Sequence, residues 1–344
     1  MKKGNKFGVH RVIEPEGVLP QPAERIDNTM EIYDNEILID VHTLNIDSAS
    51  FTQIEDAADG DVEKIKARMK DIMEKRGKHH NPVTGSGGML IGEIKKIGPA
   101  LKDRDIEVGD RIATLVSLSL TPLRIDKIKE VKKDIDQVHI DGKAVLFESG
   151  IYAKLPEDME DTLALAVLDV AGAAAQTAKL VKPGDNVLII GAGGKSGLLC
   201  LHEAKKRAGV TGKVLGMGHS DSSTNRIEEL GLADEVLQGD ATNPTEVLDM
   251  VKEATDGELV DVVINNVNIP NTEMASILPC KDGGLVYFFS MATSFTKAAL
   301  GAEGVGKDVE MIVGNGYTRG HAAISLEILR ENEKLREIFT KLYT

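Results

Sequence analysis

One segment, Val187–Gly197 (VLIIGAGGKSG), constrains this chain of 344 residues more than any other. It begins with a short apolar run of the kind buried on both faces of a parallel sheet. A glycine-rich turn and a helix start follow. In that order Gly191 makes the tight turn, Gly193 and Gly194 let the backbone approach a pyrophosphate, and Gly197 lets helix and strand pack closely. Lys195 and Ser196 open the helix, whose free N–H groups and partial positive charge suit an anion. The spacing Gly191, Gly194, Gly197 is G-x-x-G-x-x-G rather than the strict G-x-G-x-x-G. Gly194-Lys195-Ser196 also resembles the end of a nucleoside-triphosphate loop. That motif needs a glycine five residues earlier, where this chain has Ile189. The segment therefore reads as a dinucleotide site.

Its surroundings agree. From about Pro156 onward, helical and strand patterns alternate: strands at Lys213–Met217, Glu235–Leu237, Val260–Asn265 and Gly284–Phe289, with helices between them. Such βαβ alternation predicts a doubly wound parallel sheet. Upstream the chain reads as β-rich, with a strand at Glu36–Leu44, an amphipathic helix over Asp61–Lys78, a glycine-rich loop over Asn81–Gly88 and a strand signal from Met89. A single helix is expected near the C-terminus, over Ala322–Leu342. Leu163–Val181 is apolar enough to tempt a hydropathy scan, but it holds Asp169, Gln176 and Lys179 and reads as one buried helix.

Which dinucleotide is bound depends on the end of the second strand of this sheet. An NAD site usually carries an acid there that accepts from the ribose hydroxyls. Here the sequence is Met217-Gly218-His219-Ser220-Asp221, with no acid near Gly218 and Asp221 slightly late. His219 and Arg226 are candidates to contact a 2′-phosphate, and Ser220 is a further candidate cofactor contact. NAD is expected, with NADP left open. Asn265 and Asn268 follow one strand and Ser290 and Thr293 another; strand C-terminal ends are where such sheets place ligands, so all four are candidate cofactor contacts.

Composition narrows the function classes. The net charge is −14, the wrong sign for a general nucleic-acid binder or for an anionic membrane surface. Aromatic residues are 3% of the chain, too few for a base-stacking platform. Cys200 and Cys280 lie far apart beside apolar residues, as reduced core cysteines of a cytoplasmic protein do. No apolar run of signal-peptide type follows the basic N-terminal residues, and no secretion is expected.

The order of EILIDVHTLNID, GEIKKIG, VGDRIATLV and KPGDNVLIIGAGG resembles the medium-chain dehydrogenase/reductase superfamily over nearly the full length. The resemblance implies an α/β chain: a GroES-like β-rich catalytic domain over residues 1–155, a Rossmann domain over 156–298, and a return of 299–344 to the catalytic domain. It also implies a homodimer or homotetramer. Zinc-dependent members carry a Cys, then G-H-E-x-x-G, then a further ligand. Here the Cys slot is Asp47, the motif reads Gly87-Gly88-Met89-Leu90-Ile91-Gly92, and the third region falls near Asp169. Two carboxylates without His or thiolate suit zinc poorly, so no metal is expected. Runs such as NPVTGSGGMLIG, LFESGIYAKLP and MIVGNGYTRGHA resemble one branch of the superfamily more closely. That branch oxidatively deaminates a 3,5-diamino acid at C3 with NAD. A zinc-free quinone or enone reductase and a non-catalytic dinucleotide sensor are the alternative readings.

Deamination needs a neutral amine before hydride leaves, and then water attack on the resulting iminium, so a general base is required. A substrate with two ammonium groups also attracts carboxylates. Asp169, alone in an apolar helix, is the first candidate; Asp47 and Glu148 follow. Arg319 and Lys297 are candidates to pair the substrate carboxylate, with Ser48 beside Asp47 as a further contact. His79-His80 reads as a solvated loop pair.

Overall fold

The computed structural model describes residues 2–290, 292–314 and 316–344. The chain divides into two compact units, Met1–Leu165 and Ala166–Thr344.

The first unit is β-rich. A ribbon of β1 (Val12–Glu14) and β2 (Arg25–Ile26) precedes β3 (Glu36–Asn45), β4 (Met89–Ile97), β5 (Arg111–Thr114), β6 (Leu123–Lys132), β7 (Gln137–Phe147) and β8 (Tyr152–Lys154). The last six form one antiparallel sheet in the order β6-β7-β3-β4-β5-β8. Helices α1 (Ser48–Asp56) and α2 (Val62–Arg76) follow β3. α2 starts where the Asp61 side chain accepts from the Lys64 N–H at 3.0 Å, and stops at Gly77 in the left-handed region. Its Ile65, Met69, Ile72 and Met73 recur at helical spacing and join the core with Ile37, Ile39 and Leu44 of β3. His79 and His80 depart from the expected solvated pair. His79 is fully buried and His80 half-buried, and burial brings each imidazole down to about 4.

The expected helix over Leu163–Val181 is two: α3 (Asp161–Leu168) and α4 (Ala171–Leu180), bent by 51°. Val170, at φ −118° and ψ 16°, leaves the helical region and caps α4, so Asp169 sits in the break rather than within a helix. Among the described residues no single helix is long and apolar enough to cross a membrane; the bent pair meets that test only jointly, and most of its residues are buried.

The second unit carries a parallel sheet of β9 (Val187–Ile190), β10 (Val214–Gly218), β11 (Glu235–Gln238), β12 (Val260–Asn265), β13 (Cys280–Phe288) and β14 (Glu310–Val313). Their order is β11-β10-β9-β12-β13-β14, so the winding reverses between β9 and β12. α5 (Lys195–Ala208), α6 (Asp221–Leu230), α7 (Pro244–Ala254), α8 (Glu273–Ile277) and α9 (Phe295–Val305) are the crossovers. All four residues of β9 are buried. Cys200 and Cys280 are buried and free, and burial pushes both thiols up to about 12.

Residues 299–344, expected to return to the first domain, instead pack in the second unit. β13, α9 and β14 make one more parallel crossover, and β14 pairs with β13 from Leu285↔Glu310 to Phe288↔Val313. The expected C-terminal helix is also two, α10 (His321–Glu331) and α11 (Glu333–Tyr343). Asn332 breaks it, because its side chain accepts from the Leu335 N–H at 2.9 Å and caps α11.

The first unit holds a buried charge cluster around Arg11. Arg11 is 0% exposed; its Nε and Nη2 each donate to Glu36 at 2.7 Å, and its remaining N–H groups reach the Thr29 and Glu31 carbonyls at 2.8 Å. Burial alone would push the Glu36 carboxyl up. Hydrogen bonds from Arg11, His10 and the Tyr33 N–H outweigh it and bring it down to about 2. Arg11→Ala, which strands that carboxylate, is expected to cost about 3–5 kcal/mol in denaturant unfolding. Because the folded value lies below the ordinary one, this contribution is fully present above about pH 4.5 and is lost as pH falls through about 2. A titration of stability in which wild type and Arg11→Ala do not converge on acidification contradicts this.

Candidate functional site

The glycine turn shapes a cavity of about 570 Å³ at the C-terminal ends of β9, β10, β11 and β12. Gly191, at φ +79°, turns the chain away from β9; its N–H and that of Ala192 donate to the Met217 carbonyl at 3.0 and 2.9 Å. A Cβ on Gly193 would lie 2.3 Å from the Ser223 carbonyl oxygen, and one on Gly197 would lie 2.2 Å from that of Gly191. Both glycines are therefore required by backbone-to-backbone approach, of the turn to α6 and of α5 to the turn. Gly194 caps α5 and meets only the Gly191 oxygen, at 3.4 Å. The first N–H groups of α5 lack intrahelical acceptors and lie at this turn.

Gly191, Gly193, Gly194, His219, Ser220 and Arg226 line the cavity, as do Asn266 and Asp240. Arg226 is fixed by its Nε donating to the Gly193 carbonyl at 2.8 Å. Ser220 caps α6 in a reciprocal pair with Ser223. Lys195 opens α5 without lining the cavity; its ammonium lies 3.1 Å from Asp169 and 5.1 Å from the centre of the Tyr343 ring. Ser196 and Gly197 stand behind the wall, in α5.

Other expected contacts lie elsewhere. Asn265 is fully buried and satisfied internally: its Nδ2 donates to Thr272 Oγ1 and Ser276 Oγ at 2.9 Å, and its Oδ1 accepts from the Val267 N–H. The residue that reaches the cavity is its neighbour Asn266, whose Nδ2 is buried with no partner among the described residues. Successive strand residues face opposite ways, so a ligand contact misplaced by one position lands on the helix side. Asn268 is exposed and outside the cavity lining. Ser290 is buried, its Oγ accepting from the Ala292 N–H, and Thr293 is outside the cavity lining, its hydroxyl buried with no partner among the described residues. Lys297 is exposed on α9 and donates to Asn271 at 2.6 Å; Arg319 is exposed ahead of α10.

The carboxylates of the first unit have definite partners. Asp47 caps α1 through its carbonyl, and its Oδ2 accepts from the Gly87 N–H at 3.0 Å. Ser48 donates to Asp136 at 2.5 Å. Glu148 accepts from Asn35 at 2.9 Å, and Asn35 in turn holds Gly4, so this carboxylate ties down the N-terminal segment. Asp47 and Gly87 thus form one loop junction, with a hydroxyl cluster of Ser50, Thr84 and Ser86 beside it. Among the described residues, His202, Glu203 and Glu331 place donor atoms within 4.8 Å of one another, but Arg207 and Lys206 already neutralise both carboxylates.

A glycine turn closed to a Cβ at Gly193 and Gly197, the helix N-terminus and an orphaned buried amide together suit a dinucleotide pyrophosphate. The two glycines of the turn separate in their expected effects. Gly193→Ala should lower stability by about 1–3 kcal/mol through overpacking against α6. Gly194→Ala should leave the melting temperature in place and weaken only NADH binding, read by cofactor fluorescence. Equal destabilisation by both would contradict the geometry.

Comparison with known proteins gives a consistent result. Residues 10–156 match the family described as the L-erythro-3,5-diaminohexanoate dehydrogenase N-terminal domain. The L-erythro-3,5-diaminohexanoate dehydrogenase of Acetoanaerobium sticklandii is 64% identical over 342 residues, covering 99% of each chain. Its counterpart in Fusobacterium nucleatum is 64% identical over 344 residues, covering 100% of both. Among solved structures, the CurK enoyl reductase matches with TM-score 0.55 at 16% identity, over 96% of this chain and 85% of its own, and so shares the fold. With a doubly wound parallel sheet and relatives of this identity over its whole length, the chain belongs to the L-erythro-3,5-diaminohexanoate dehydrogenase family.

Proposed function

We propose that this chain catalyses the NAD-dependent oxidative deamination of L-erythro-3,5-diaminohexanoate at C3, giving 5-amino-3-oxohexanoate and ammonium. The observation that carries the reading is the full-length identity to dehydrogenases of that name, joined to an intact glycine cradle in this chain. Gly191, Gly193 and Gly194, with the N-terminus of α5 and Arg226, would hold the dinucleotide. When bound, NAD accepts the hydride that leaves C3.

The chain's own residues supply the rest. The C3 ammonium must lose a proton before the C–H bond is broken, and water must then add to carbon and expel ammonia. Asp47 and Asp169 are the proposed carboxylates for these steps and for pairing the substrate's ammonium groups. Asp47 is oriented by the Gly87 N–H, and Asp169 by Lys195. The chemistry of the positions supports a metal-free reaction: oxygen donors alone, with Gly88 and Met89 where the zinc-dependent pattern has His and Glu. Two buried free thiols support a cytoplasmic setting.

We also propose self-association through β14. That strand is one of the two edges of its sheet, with Met311 37% and Val313 63% exposed. Val313→Asp should shift the sedimentation coefficient from dimer or tetramer to monomer; an unchanged coefficient argues for another interface.

The activity test is direct. NADH should form from NAD⁺ and 3,5-diaminohexanoate, but no reduced cofactor should be consumed with quinones or enones. Asp169→Asn and Asp47→Asn should each lower kcat by about two orders of magnitude or more, with NADH binding intact. A kcat near wild type in either variant removes that residue from the mechanism.

A further inference from the structure

The cavity has an unusual distribution of charge at its ribose end. Gly218 closes β10, and a Cβ there would meet Ser223 Oγ at 2.5 Å and the Thr224 N–H nitrogen at 3.1 Å. A side chain at that position would displace the Ser223 hydroxyl and press on the first turn of α6. Asp221, the next acid along the chain, is not in the cavity lining; its Oδ1 accepts from Gln238 Nε2 at 2.8 Å. That bond turns it toward β11.

Across the sheet the situation is reversed. β10 and β11 are paired in parallel with Gly218 opposite Gln238, so Gly239-Asp240 leaves the sheet alongside His219-Ser220. Asp240 lines the cavity and is the one carboxylate among the described residues that do so. Its Oδ1 accepts from both the N–H and the hydroxyl of Thr242 at 2.8 Å, which fixes the side chain in its turn. Those bonds and the nearby His219 hold its carboxyl below the usual range, so it is an anion at neutral pH.

We propose that Asp240 is the residue that selects NAD over NADP in this chain. It takes the role from the adjacent strand because β10 ends in Gly218 and carries no acid there. Its free oxygen is an acceptor for ribose hydroxyls, and its charge opposes the 2′-phosphate, which carries close to two negative charges. Arg226, which also lines the cavity, is held by its Nε at the Gly193 carbonyl, on the side of the glycine turn. The inference deepens the reading of this cavity as the dinucleotide site and rests on it.

The test measures equilibrium binding of NADH and NADPH to the intact protein by their fluorescence, which requires no turnover. Wild type should bind NADH at least about tenfold more tightly than NADPH. Asp240→Asn keeps the shape and the bonds from Thr242 but removes the charge. It should cut that ratio about fivefold or more, chiefly by tightening NADPH. Asp221→Asn should leave the ratio unchanged. The inference is overturned by a wild type that binds both equally, by an Asp240→Asn ratio within twofold of wild type, or by a shift in Asp221→Asn instead. A wild type that binds neither dinucleotide overturns the cavity reading itself and the inference with it, whereas the other outcomes leave the cavity reading standing.

Discussion

The approach of three backbone segments at one turn governs the second unit. Gly193 lies against the Ser223 carbonyl, and Gly197 against Gly191 and Ala192, at separations that exclude a single methyl group. Close packing of this kind is intolerant of insertion. It fixes α5 and α6 relative to β9, and therefore fixes everything they carry: Arg226 on the Gly193 carbonyl, Ser220 at the head of α6, and the first N–H groups of α5. The wall of the cavity at the glycine turn is thus set by main-chain crowding.

The turn was legible because every part of it is local: an apolar strand, glycines at fixed offsets and a helix start lie within eleven consecutive residues. The strands and most helices were legible for the same reason. What escaped was decided by neighbours distant in sequence. The reversal of β9 and β12 places Asn266 rather than Asn265 at the cavity, a matter of one position in a period of two. Asp240 became visible only once the pairing of β10 with β11 set it beside His219. β14 was missed because its run Glu310–Val313 is only four residues long and mostly exposed, and only pairing with β13 makes it a strand. The helix breaks at Val170 and Asn332 depend on side-chain and backbone choices that hydrophobic periodicity does not register.

The carboxylates tell a related story. Asp47 sits where the chain turns from β3 into α1, gripped by a glycine N–H from the loop ahead of β4; Asp169 sits in the gap between two helices, gripped by the first side chain of α5. In both cases the acid occupies a junction between elements rather than the middle of one. Junctions leave a side chain oriented by its neighbours yet partly open, and Asp169 is only about three-quarters covered (25% exposed). An acid within a packed helix would have to be neutralised or excluded. At a break it can stay charged and still be met by a cation from outside.

The first unit is anchored from its leading edge by two buried cations. Arg11 clasps Glu36, and Lys78, which burial brings down to about 7, donates to the Pro20 and Gln21 carbonyls at 2.7 and 2.8 Å. The leading segment is therefore not a dispensable tail. Anyone trimming the gene to begin at the first long strand would uncover an ionised carboxylate in an oily interior and leave Lys78 without the carbonyls that hold it.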